Sequence, residues 1–337
     1  MRKTNIELLR FLMCITVVMY HTRVGGGESS WIFVSFAPII GSGVLVFALI
    51  SGYFMINKSY PSILKLFLTI VFYLTVIIFI NLIIESLFFG KIEGFNKTEW
   101  LYNYGTINMW YIWTLLFVYI LSIPVNYFLK RTNIWYSLFV IVACYATFYG
   151  VIRHLEYFKN FSINNIFYLN IIYMTGAWLK LHSHKLMYKN NDLLYIASLV
   201  WIPLAMIINI FLFIIIPGKT SYLFGNNNPS SIFTAVSIFH IFSKFKIKEN
   251  KIINILGKLS IPIYFINYSF IKIFLLFVSN VTANNDLAFI LLTSLVFSIS
   301  FLFALILFWP MEKIINYLNN FIISVIIKCK KFIYIKK

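Results

Sequence analysis

Long runs of apolar side chains, broken by short polar stretches, recur along almost the whole chain. Runs of about 18 residues or more read as helices that cross a bilayer. They fall near 5–22, 34–56, 63–89, 109–129, 134–151, 164–182, 193–215, 229–243, 256–279 and 287–309, the eighth being the shortest. The pattern predicts an all-α polytopic helix bundle of about ten transmembrane helices. Such a bundle has both termini on one side of the membrane. The first run carries an anomaly, because the segment RFLMCITVVMYH puts Arg10 and His21 at the two ends of uncharged residues. A helix advances about 1.5 Å and 100° per residue, so eleven steps set these side chains roughly 16 Å apart and within about 20° of one face. Polar groups at membrane depth need a partner or a cavity.

Composition agrees with the apolar pattern. The 337 residues are 61% hydrophobic and 11% charged, with a mean hydropathy of +0.86, whereas soluble domains are about a quarter charged. A secretory signal peptide is not expected. Arg10 interrupts the run that follows Met1-Arg-Lys, and no small-residue cleavage site comes after it. The three cysteines, Cys14, Cys144 and Cys329, match neither a disulfide framework nor a zinc site.

The net charge of +18 becomes informative once it is placed on the predicted helices. The loops opposite Met1 hold Arg23, Lys91, Lys97, Arg153, Lys159 and Lys219, six in all, against twenty basic residues on the Met1 side. Basic residues accumulate in cytoplasmic loops, so both termini are expected in the cytoplasm. Nucleic-acid binding is not expected, because no folded basic domain gathers the charge. The chain divides into a transmembrane part, 1–310, and a basic amphipathic tail, 311–337. The tail repeats apolar residues at Ile314, Leu318, Phe321 and Val325 and is expected on the anionic inner leaflet. No internal repeat is evident.

Glu7 lies one turn before Arg10 and can pair with it. One helix then offers a cation placed for a phosphate and, at His21, an imidazole placed for proton transfer. The plainer alternative is a packed histidine near a helix end, with Arg10 snorkelling to the surface.

The residues Glu7-Leu-Leu-Arg10, followed after ten positions by His21, resemble the first-helix arginine–histidine motif of the acyltransferase-3 family of membrane O-acyltransferases. Further pieces follow in the family's order. Val46-Phe-Ala-Leu-Ile-Ser51-Gly52-Tyr53 is similar to its second-helix segment, and Asn108-Met-Trp110-Tyr to its tryptophan motif. Tyr168–Lys180, with Gly176, and Leu256-Gly-Lys-Leu-Ser260-Ile-Pro-Ile-Tyr264 resemble two later motifs. The likeness runs from about residue 5 to 310. Two departures stand out: Asn267 where many relatives carry a histidine, and Lys58 and Lys65 where relatives have an arginine-rich loop.

The resemblance implies His21 as catalytic residue, with Arg10, Lys58 and Lys65 binding the donor. Glu7, Ser51, Tyr53, Trp110, Tyr264 and Asn267 are expected in support. The implied donor is acetyl-CoA, acting as substrate without a metal, and acetyl rests on the resemblance alone. The implied acceptor is a hydroxyl of an extracytoplasmic or lipid-linked polysaccharide at a multi-pass bacterial cell membrane. His21 then either deprotonates the acceptor or carries the acyl group. An exporter or flippase of lipid-linked sugars, or a non-catalytic partner of a glycan synthase, is the alternative.

Other residues have simpler readings. Ser51-Gly52-Tyr53 reads as close helix packing before it reads as a serine nucleophile. His240 is expected to pack in the short eighth helix. His182 and His184 are expected in a solvated loop, Lys272 to snorkel outward, and Glu85 to sit at an interface.

Overall fold

The apolar runs become helices, as a lipid-facing backbone must satisfy its own hydrogen bonds. A computed structural model of the chain describes residues 3–23, 30–58, 60–88, 110–152, 163–216, 228–281 and 285–335. They form nine helices, with no strand among the described residues: α1 (Thr4–Thr22), α2 (Trp31–Met55), α3 (Tyr60–Phe88), α4 (Trp110–Arg131), α5 (Ile134–Gly150), α6 (Ile163–Ile215), α7 (Pro229–Lys244), α8 (Lys251–Val281) and α9 (Asn285–Ile335). Five described segments are long and apolar enough to cross a membrane: Trp31–Met55, Ile63–Ile80, Trp113–Arg131, Leu193–Ile215 and Asn285–Val325.

The contacts between helices sort the residues into two ends of the bundle. At one end the Lys3 ammonium donates to Tyr53 Oη (3.3 Å), and Asn5 Nδ2 donates to the Phe242 carbonyl (2.7 Å). Lys258 meets Glu312 (2.8 Å) at this end, Lys65 donates to Asn316 Oδ1 (2.6 Å), and Trp178 Nε1 donates to the Ile134 carbonyl (3.2 Å). At the other end Thr22 and Thr293 share a hydroxyl hydrogen bond (2.7 Å), and Ser30 Oγ donates to Asp286 Oδ1 (2.6 Å). Asn209 Nδ2 donates to the Val34 carbonyl there (2.7 Å).

Two predicted runs, 164–182 and 193–215, join in α6, which is 53 residues long. It cannot be straight. Gly176 packs on Leu49 and Asn209 on Val34, both in α2. On a straight helix those contacts would lie about 50 Å apart on α6 but only about 22 Å apart on α2. The chain therefore turns back between them, and both halves pack on α2 and flank it. The close crossing of α2 and α6 needs its glycines. A Cβ on Gly52 would meet Ala177 N at 2.9 Å, and one on Gly176 would meet Leu49 Cα at 3.0 Å. This is the small-residue packing expected for Ser51-Gly52-Tyr53.

His182 corrects the solvated-loop expectation. It is buried in α6 with its ring 5.8 Å from that of Trp178, because the helix continues beyond the apolar run. His240 is buried in α7 as expected. α9 continues through Pro310, and the residues just beyond it pack on α3 and α8. The side chains of Glu85, His184 and Lys272, and the loop 89–109, lie outside the described residues.

Candidate functional site

α1 and α8 run side by side in the same direction, and their contacts build the site step by step. Near the basic end, Gly257 of α8 lets the two backbones approach. A Cβ there would stand 2.7 Å from Glu7 Cβ and 2.8 Å from the Glu7 carbonyl oxygen. Glu7 is thereby buried, at 3% exposure. The spacing of one turn delivers Arg10 to it: Arg10 Nη1 lies 3.2 and 3.0 Å from the two Glu7 carboxylate oxygens. The pair predicted from spacing exists, with Arg10 more open than its partner. A turn further along, the Cys14 thiol donates to the Ser260 carbonyl (3.3 Å).

At the far end of the same stripe His21 meets Asn267. The Asn267 amide nitrogen donates to two α8 carbonyls, Tyr264 (2.6 Å) and Ile263 (3.2 Å). Carbonyls only accept, so this fixes the amide orientation and turns Oδ1 toward His21 Nδ1 at 3.0 Å. Nδ1 must then carry the hydrogen, which puts the basic lone pair of a neutral ring on Nε2. Asn267 is therefore a side chain that orients His21.

A cavity of about 510 Å³ opens between α1, α2, α3, α4, α8 and α9. Glu7, Arg10, Lys58, Lys65, Ser51 and Tyr264 line it. Its charged groups cluster toward the basic end, where Arg10, Lys58, Lys65 and Lys258 face two carboxylates, Glu7 and Glu312. Lys58 is exposed, marking where the cavity meets the surface. Farther in, the walls are apolar and aromatic, including Phe47, Ile50, Leu115, Tyr111, Tyr119 and Tyr264. Ser51 shares a hydroxyl hydrogen bond with Tyr119 (3.1 Å).

His21 itself does not line the cavity. Between them stands Tyr264, whose ring lies 6.2 Å from His21 on one side and 5.4 Å from Tyr111 on the other. Two further expected residues lie elsewhere. Tyr53 projects from the opposite face of α2, against Phe239, with the Lys3 and Lys180 ammonium groups over its ring. Trp110 opens α4 and packs against the core, while the adjacent Tyr111 faces the cavity. Sequence reasoning did not single out Tyr111, Tyr119, Lys258 or Glu312. Lys258 and Tyr111 sit inside motifs read for their neighbours, and the tyrosines had no contrast in a chain that is 20% aromatic. No group of three or more histidine, cysteine or carboxylate side chains that could hold a metal occurs among the described residues.

The arrangement pairs a mouth rich in cations with an apolar, aromatic wall that reaches Tyr264, whose ring separates the cavity from the oriented His21 imidazole. No curated protein and no solved structure matches the chain. A family model described as an acyltransferase domain matches residues 3–309. The chain is a helical membrane protein that belongs to the acyltransferase-3 family.

Proposed function

We propose that this protein transfers an acetyl group from cytoplasmic acetyl-CoA to a hydroxyl of an extracytoplasmic or lipid-linked polysaccharide, at a bacterial cell membrane. The observation that carries the reading is the cavity, charged at one end and closed near His21 at the other. Its size suits an extended small-molecule ligand, since such sites are typically about 300–1,000 Å³. Coenzyme A phosphates pair with Arg10, Lys58 and Lys65, and Lys258 adds a fourth cation to the same wall. Arg10 binds as a fork and the lysines as point charges. The pantetheine arm follows the apolar wall inward, so that the thioester stops beside Tyr264. His21 Nε2 then takes the proton of the acceptor hydroxyl, or itself attacks the thioester and passes the acyl group on.

The same reading puts both termini and the tail 311–337 in the cytoplasm, with ten spans. The sorting of contacts supports it: the hydrogen bonds at the two ends of the bundle each link residues the ten-run pattern assigns to the same side. The turn back within α6 supplies the reversal that two separate spans require. The loop holding Thr98 lies outside the described residues, and the ten-span arrangement puts it outside the cell. A Thr98→Cys probe is expected to react with an impermeant thiol reagent from the outer face alone. Reaction only from the cytoplasm would overturn the topology.

The deciding assay uses purified protein, acetyl-CoA and membrane glycan. Acceptor-dependent release of free coenzyme A is expected. Glycan movement without coenzyme A release would favour an exporter.

A further inference from the structure

Tyr111 and Tyr264 are 4% and 5% exposed, and both line the cavity at its closed end. Their rings meet edge to face at 5.4 Å, so they form one wall. No hydrogen bond to either hydroxyl is found among the described residues. Two other buried tyrosines differ. Tyr119 is bonded to Ser51, and Tyr173 donates to Asn126 Oδ1 (3.0 Å). Tyr73 Oη also lacks a partner, but it is sealed and no part of Tyr73 lines the cavity. Buried polar groups are normally satisfied, so two unpartnered phenols facing one cavity end call for a ligand acceptor. Arg10, the cavity-lining cation that faces this region, is already paired with Glu7, so the group that matches the two hydroxyls is a neutral acceptor such as a carbonyl oxygen.

We infer that the Tyr111 and Tyr264 hydroxyls form the carbonyl subsite of the cavity, donating hydrogen bonds to the acyl oxygen of a coenzyme A thioester and to the oxyanion formed from it. The inference rests on the acyl-CoA reading above and assigns catalytic residues within it. In the direct route, the acceptor oxygen attacks the thioester carbon while His21 takes its proton. The carbonyl π pair moves onto oxygen, where the phenols stabilise it. Collapse re-forms the carbonyl and breaks the carbon–sulfur bond, and the departing thiolate takes the proton from His21. Donors held in a water-poor wall are effective at this step, because they need no reorganisation when charge develops. Tyr264 is suited to the role by its other contact, since its ring touches that of His21 and its carbonyl anchors Asn267.

Phenylalanine removes each hydroxyl and leaves the ring packing. In purified protein, Tyr111→Phe and Tyr264→Phe are each expected to lower kcat for glycan-dependent coenzyme A release by about 10²–10³, with KM for acetyl-CoA within about threefold. A second readout needs no acceptor and no turnover. Wild type is expected to bind a coenzyme A thioether bearing a ketone in the acyl position at least about tenfold more tightly than the plain ethyl thioether, a difference of about 1.4 kcal/mol. The Tyr111→Phe/Tyr264→Phe protein is expected to bind the two equally. A double variant that melts like wild type and keeps either full kcat or the ketone preference overturns the inference while leaving acyl-CoA binding intact. Wild type that binds neither thioether overturns the functional reading beneath it.

Discussion

The two ends of the cavity are built from opposite chemistry. At the basic end the polar groups are charged and largely compensated: Arg10 with Glu7, Lys258 with Glu312, and Lys65 with the Asn316 amide. At the closed end they are neutral hydrogen-bonding groups, Tyr111 and Tyr264, with the His21–Asn267 pair behind the Tyr264 ring. Charge is affordable where solvent reaches the mouth and costly at depth, where an ion must be matched. Each end therefore uses the groups its polarity permits, and under the proposed function a phosphorylated donor would meet cations at one end and its carbonyl neutral dipoles at the other. Mutations should separate accordingly, into losses of rate at one end and losses of affinity at the other.

The largest effect is expected at His21. Glutamine keeps the size and can hold the Asn267 contact, yet it cannot accept and return a proton. His21→Gln should lower kcat by about 10²–10⁴, with acetyl-CoA affinity and thermal stability near wild type. Single-turnover kinetics beside a melting curve would check both. An active glutamine variant would reduce the Arg10–His21 stripe to a coincidence of spacing.

Arg10 comes next, and its effect is on binding. A charged hydrogen bond contributes about 1.5–3 kcal/mol, so Arg10→Ala should weaken acetyl-CoA binding by roughly 10- to 100-fold. It also strands the buried Glu7 carboxylate, at a cost of about 3–5 kcal/mol. Adding Glu7→Gln separates the two consequences. The Glu7→Gln/Arg10→Ala protein should recover most of the lost stability and none of the lost affinity, measured by thermal unfolding and by titration calorimetry. Recovery of affinity would mean that Arg10 supports the fold and does not touch the donor.

Those expectations draw on sequence features of unequal legibility. The Glu7–Arg10 pair was readable because helical spacing is local, and so were most helices, whose apolar runs mark them directly. Asn267 as the partner of His21 was not readable, because 246 residues separate them and only the packing of α8 on α1 brings them together. The carbonyl wall was hidden for another reason. Tyr111 and Tyr264 differ from Tyr119 and Tyr173 in making no hydrogen bond among the described residues, and from Tyr73 in lining the cavity, and both properties exist only once the neighbours are in place. Two predicted spans were legible as apolar runs, but their union in one helical element was not, since the polar residues between them look like a loop. The residues after Pro310 show the same limit. Their basic, amphipathic pattern marks a surface tail, whereas Met311, Glu312 and Ile315 line the cavity.

The smallest effect is expected at Lys58, and it tests how the mouth captures its ligand. Lys58 is exposed, while Lys65 and Lys258 are each held by a neighbour. An exposed, flexible ammonium gains little from a phosphate in water, about 0.2–1 kcal/mol for comparable surface pairs. Lys58→Ala should therefore raise the acetyl-CoA dissociation constant by no more than about fivefold and leave kcat unchanged. Salt sharpens the expectation, because screening at about 8 Å under physiological ionic strength acts mainly on solvent-exposed charges. The difference between wild type and Lys58→Ala should shrink as salt is raised, whereas the Arg10→Ala deficit, arising beside a buried carboxylate, should persist. A Lys58→Ala deficit that exceeds that of Arg10→Ala and survives high salt would place the phosphate contact at the surface, and the stripe on α1 would then serve only the chemistry at its far end.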